Sequence, residues 1–136
     1  MGKVFFLIVD DDQVLPRLLI RLARKFFKSS EYDVHLEMFH SGPKAIEFAT
    51  HMKLEHPDAE WGLVSDYDMP NMNGAQLIDA LDTLLGEKIA FRLILTGDIR
   101  PDRKDEVEAK QAFIDAKPID KRDFDSYLYQ FLMALS

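Results

Sequence analysis

Val4-Phe5-Phe6-Leu7-Ile8-Val9-Asp10-Asp11-Asp12: six apolar residues run straight into three aspartates near the start of the chain. An apolar run of this length without alternation is what a parallel strand needs, because crossover helices cover both faces of such a sheet. The abrupt change at Asp10 places the carboxylates at the strand's carboxyl end. Downstream, Leu15, Leu18, Leu19, Leu22 and Phe26 recur at helical spacing, so the strand feeds a helix. Pro16 is compatible with that helix only in its first turn, where its missing N–H costs nothing.

The same alternation continues to the end of the chain. Over 34–39, Val34, Leu36 and Met38 alternate with His35 and Glu37, the period of a half-exposed edge strand. Ser41-Gly42-Pro43 turns into a helix over 44–55. Residues 62–65 form a third strand, and Leu77, Ile78, Leu81, Leu84 and Leu85 form a helix ended by Gly86. Residues 91–95 are a fourth strand. Residues 101–111 make a weak, nearly all-charged helix with only Val107 and Ala109 apolar. Residues 112–116 are a short edge strand, and a last helix buries Phe124, Tyr127, Leu128, Phe131 and Leu135. Five strands alternating with five helices predict an α/β fold with a parallel sheet and helices on both faces. Right-handed crossovers and two edge strands fit the order 2-1-3-4-5, which reverses between strands 1 and 3. One domain over 1–136 accounts for every residue, with no output domain.

Composition narrows the function. The net charge of −7 argues against a nucleic-acid surface, since phosphate backbones are bound by clustered cations. Arg17, Arg21, Arg24, Lys25 and Lys28 read as a solvated helix face. The absence of cysteine excludes disulfides and thiol chemistry and suits the cytoplasm. The 4–9 run is too short for a signal peptide or a membrane span. His35, His40, His51 and His56 lack metal-ligand spacing and read as surface or loop residues.

Ligands in doubly wound folds sit beyond the carboxyl ends of the strands, at the point where strand order reverses. The residues ending these strands are Asp10, Asp11 and Asp12, then Asp66, Thr96, and Lys117 before Pro118. Carboxylates crowded at strands 1 and 3 need a proton or a cation to neutralise them. Magnesium suits oxygen ligands and pairs readily with phosphate. A lysine supplies a point charge and a threonine a hydroxyl donor, so the set points to phosphoryl transfer to a carboxylate.

Four segments carry a family resemblance: Val9-Asp10-Asp11-Asp12, Ser65 to Gly74 (SDYDMPNMNG), Leu95-Thr96-Gly97 and Ala116-Lys117-Pro118. In order and near-spacing they resemble the signatures of the response-regulator receiver domains of two-component signalling, which have a flavodoxin-like fold. The resemblance implies that Asp66 accepts a phosphoryl group from a phosphohistidine on a sensor histidine kinase or a histidine phosphotransfer protein. It implies Mg2+ bound directly by Asp11 and Asp66, largely through water by Asp10, and by the backbone carbonyl of Asp68. Thr96 would swing toward the phosphoryl group, Lys117 would pair with it, and Gly97 would leave the approach open. It further implies a downstream partner or dimer docked on the face of the fourth helix, fifth strand and fifth helix, where Tyr129 and Met133 stand opposite the core stripe.

Three positions qualify the resemblance. Ile114 occupies the family's aromatic switch position, so no ring reports the movement of Thr96, and output is expected through the loop after strand 4 and the charged fourth helix. Asp68 and Asp98 occupy the positions that in the family flank the attacking water's path, and the resemblance implies that they repel an incoming anionic donor. Two rival functions exist. Asp66-Tyr67-Asp68 also reads as the Asp-x-Asp of haloacid-dehalogenase-like phosphatases, yet Pro70 replaces that family's Thr or Val and the acid pair precedes rather than follows the lysine. The other rival is a docking module that works without phosphorylation. The expectation is a signalling switch, not an enzyme.

Overall fold

In the computed structural model, which describes residues 2–136, strands and helices alternate throughout. The order is β1 (Lys3–Val9), α1 (Leu15–Phe27), β2 (Asp33–Phe39), α2 (Gly42–Glu55), β3 (Glu60–Asp66), α3 (Gly74–Leu85), β4 (Ile89–Thr96), α4 (Pro101–Glu108), β5 (Phe113–Ala116) and α5 (Lys121–Ala134). The strands are all parallel, in the order β2-β1-β3-β4-β5, as expected.

The central strand shows why its sequence is apolar without interruption. Phe5, Leu7 and Val9 face a core built with α2 and α3, whereas Val4, Phe6 and Ile8 face one built with α1 and α5. Each face takes every second residue, so both must be apolar. Phe6, Phe124 and Phe131 are fully buried on the α1/α5 side. There Gly62 leaves room for aromatic packing, since a Cβ at that position would lie 2.8 Å from the rings of both Phe131 and Phe6.

The β2 edge differs from the half-exposed reading. Its residues from Val34 to Phe39 are all partly buried, because α1 covers one face while His35 packs its ring against Phe5 at 5.5 Å on the other. Tyr127 is likewise half-buried, with its hydroxyl donating to Asp115 Oδ2 at 2.9 Å. Local boundaries follow capping chemistry. Ser41 and Asn73 cap α2 and α3 with their side chains, and Asn73 forms a reciprocal capping box with Gln76. α1 starts at Leu15 with Pro16 in its first turn, and Asp12 stands just ahead of that helix. Its carboxylate accepts the Gln13 and Leu15 amides, and the Leu15 bond holds its pKa below the usual carboxylate value.

α4 is shorter than the charge-rich 101–111 segment. It ends at Glu108, and Gln111 turns the chain at φ 58° into β5. No helix among the described residues is long and apolar enough to cross a membrane.

Candidate functional site

The strand register decides which carboxylates meet. Val9 pairs with Ser65 and Asp66 with Leu95, so the residues that follow β1, end β3 and end β4 reach one edge of the sheet together. Asp10 and Asp66 are buried, Thr96 is fully buried, and Asp11 is exposed. Asp10, Asp11 and Asp66 each place a carboxylate oxygen within 4.8 Å of the others.

Lys117 closes the site from the fifth strand. Its backbone N–H donates to the Thr96 carbonyl at 2.9 Å, which aims the chain after β5 back at the site. Its ammonium reaches Asp10 Oδ2 at 2.8 Å and Asp66 Oδ1 at 3.2 Å. Burial works against this charge, but the hydrogen bond to Asp10 and the charges of Asp66 and Asp10 hold the pKa above that of a free lysine. For Asp66 the balance is opposite. Burial pushes its carboxyl up to about 6, although the neighbouring Lys117 opposes the rise.

The charge count tests the expected cation. Three carboxylates and one ammonium leave two negative charges when all are ionised, and the oxygens are close enough to share one ion. A divalent, oxygen-seeking cation such as Mg2+ fits this set. Backbone geometry supports the same edge. The Asp12 and Asp68 amides donate to Asp10 Oδ1 at 2.9 Å and Asp66 Oδ1 at 3.3 Å. Gly74 lets α3 start directly against the end of β3, where its N–H donates to the Tyr67 carbonyl at 2.8 Å. A Cβ there would sit 2.5 Å from the Asp66 carbonyl oxygen. At Gly97, by contrast, a Cβ would meet nothing within 4 Å.

Two residues at the site are not singled out by the sequence pattern. His40 lies against the Asp10 backbone, with Nδ1 at 3.0 Å from its carbonyl oxygen. More consequential is Arg103, buried although it belongs to the charged α4. Its Nη1 donates to Asp68 Oδ2, Thr96 Oγ1 and the Asp98 carbonyl, each at 3.1 Å, and Nη2 to Asp68 Oδ1 at 3.3 Å. Its guanidinium carbon stands 3.9 Å from the centre of the Tyr67 ring. The available sequence signal is its i, i+4 spacing to Val107, the other buried residue of α4. Asp98 in turn meets Arg100 Nε at 3.2 Å. Asp68 and Asp98 are therefore both ion-paired, each to an arginine of the β4–α4 region.

The remaining predicted positions lie away from this edge cluster. Ile114 is partly buried against the α2/α3-side core. Tyr129 and Met133 are 59% and 69% exposed on α5.

No protein-family model and no curated protein sequence matches this chain. Solved structures do. A chemotaxis response regulator of Vibrio cholerae is 25% identical with a TM-score of 0.61, covering 99% of both chains. The signal receiver domain of a DNA-binding response regulator from Colwellia psychrerythraea is 17% identical with a TM-score of 0.76, covering 96% of this chain and 98% of the other. An uncharacterized protein from Neptuniibacter caesariensis, 21% identical, also gives 0.76 over 98% of this chain and 91% of its own. Over nearly its whole length, this chain has the receiver-domain fold of the response regulators.

Proposed function

We propose that this chain is a phosphoacceptor receiver domain, in which Asp66 takes a phosphoryl group from a phosphohistidine donor with the help of Mg2+. The single observation carrying this reading is the cluster at the switch point: Asp10, Asp11 and Asp66 within 4.8 Å of one another, with Lys117 bridging two of them.

The chemistry divides among the residues. Asp66 attacks with a carboxylate oxygen as the bond from phosphorus to the donor imidazole breaks, and the imidazole nitrogen leaves with the electron pair and later takes a proton. Asp11 and Asp66, with Asp10 and the Asp68 carbonyl beside them, would hold Mg2+, which when bound would supply positive charge beside the transferring phosphoryl group. Lys117 is already positioned as a further cation on Asp66. Thr96 offers its hydroxyl, and the open space at Gly97 leaves the approach clear. The partners of such a switch are a sensor histidine kinase or phosphotransfer protein upstream and a protein docked on the α4-β5-α5 face downstream. A phosphatase reading finds less support, since Pro70 stands in place of that family's Thr or Val and the acid pair precedes the lysine in the chain.

Intact-mass measurement with Mg2+ and acetyl phosphate tests the proposal. The wild type should gain one phosphoryl group and Asp66→Asn none. Asp11→Asn should lose Mg2+ binding, because a directly ligating charge is gone. Labelling of Asp66→Asn at the wild-type rate overturns the assignment.

A further inference from the structure

We infer that Arg103 is a positioning residue that holds the Thr96 hydroxyl and the first turn of α4 in one arrangement while Asp66 is free, and is displaced when Asp66 is phosphorylated. The inference rests on the receiver reading of Asp66 and extends it to the coupling between the site and α4.

Three observations converge. First, Arg103 is 7% exposed although it sits in a helix whose other charges are solvated. Guanidinium burial demands partners, and its partners are site residues: the Asp68 carboxylate, Thr96 Oγ1 and the Asp98 carbonyl. Second, Thr96 Oγ1 is committed, since it accepts from Arg103 Nη1 at 3.1 Å and from the Asp98 amide at 3.1 Å. Its O–H points at the Asp98 carbonyl at 3.4 Å, so donating to a phosphoryl oxygen means rotating the side chain, which carries Oγ1 away from both donors. Third, α4 is tied down chiefly by polar contacts. Beyond Val107 and Arg103, Tyr67 donates to Glu106 Oε1 at 2.6 Å, and the Arg103 guanidinium stacks on the same tyrosine. The residue that reads Thr96 is thus the residue that anchors the start of the helix.

The consequence is a competition. A phosphoryl group on Asp66 draws on the Thr96 hydroxyl that Arg103 and the Asp98 amide now use, so capture on one side weakens the other. Linkage is reciprocal: whatever loosening a phosphoryl group on Asp66 causes at α4, loosening α4 must return as tighter binding of a phosphoryl mimic at Asp66. This route needs no aromatic ring at position 114. It also reassigns Asp68, which serves as the outer anchor of Arg103 rather than as an unpaired repelling charge.

Hydrogen exchange, binding of a phosphoryl mimic and labelling by acetyl phosphate, measured on one set of proteins, test the inference. In the wild type with Mg2+, beryllofluoride as phosphoryl mimic should raise exchange of amides 98–105 about tenfold, a typical coupling magnitude. In Arg103→Gln and in Asp68→Asn, which keeps the size and the backbone carbonyl of residue 68, these amides should exchange fast without the mimic. The mimic should then add little exchange, and it should bind about three- to thirtyfold more tightly than to the wild type, with Arg103→Lys intermediate. A purely structural arginine would raise exchange in both states and leave the ratio between them intact, which overturns the inference. So does wild-type labelling accompanied by unchanged exchange over 98–105. Absence of wild-type labelling at Asp66 is a different failure, because it removes the acceptor reading itself.

Discussion

Asp66 is buried at 8% exposure beside a second carboxylate, and its pKa stands at about 6 against 3.8 for a free aspartate. Burial is the main cause, so the ionised form is held in the fold at a cost. The folded protein binds this proton more tightly than the unfolded chain does. The side chain therefore contributes most stability below about pH 4, and that contribution is lost as pH rises through 6. In metal-free buffer at pH 7, Asp66→Asn should be more stable than the wild type by about 1–2 kcal/mol in urea titrations, and the gap should close toward pH 4. A variant less stable than the wild type at pH 7 would contradict the burial argument. A cost of this kind is what the proposed acceptor role would require of a carboxylate at this position.

Elements transmit what residues decide. The first turn of α3 lies against the end of β3 because Gly74 has no Cβ. Gly74→Ala would force a carbon to within 2.5 Å of the Asp66 carbonyl oxygen and 2.9 Å of Ile94 Cδ1. Overpacking of this kind costs about 1–3 kcal/mol, so the melting temperature should fall. Labelling of Asp66 by acetyl phosphate should fall with it, because the shift occurs at the acceptor's own carbonyl. Unchanged labelling in a folded Gly74→Ala protein would mean that the α3 start and the acceptor are independent. α4 is the contrasting element. It buries only Arg103 and Val107, and just past its end Lys110 bridges to Asp79 of α3 at 2.8 Å.

Across the whole molecule, the sheet separates two cores, and the site uses neither. Phe131 is fully buried among Phe6, Phe27 and Phe91, with ring centroids 5.1, 6.0 and 5.8 Å away. Phe131→Ala should cost about 3–5 kcal/mol in denaturant unfolding, from lost burial and a residual cavity. Asp66 labelling in the fraction that remains folded should persist, since the site sits on the strand ends and not on this core. What the sequence by itself determined follows from local rules. The unbroken apolar β1 required a doubly covered parallel sheet, and the polar residues ending β1, β3, β4 and β5 had to gather at one edge once the strands were parallel. Ser41 and Gly86 marked helix ends through short-range capping. The tertiary structure alone decided what depends on distant partners. His35 packs on Phe5 because α2 and the sheet shelter the β2 edge, and Arg103 is buried because Asp68, Thr96 and Asp98 happen to surround it. Periodicity reports which way a side chain points, but the pairing that makes a buried charge tolerable is set by residues from other elements, and only the folded arrangement brings those together.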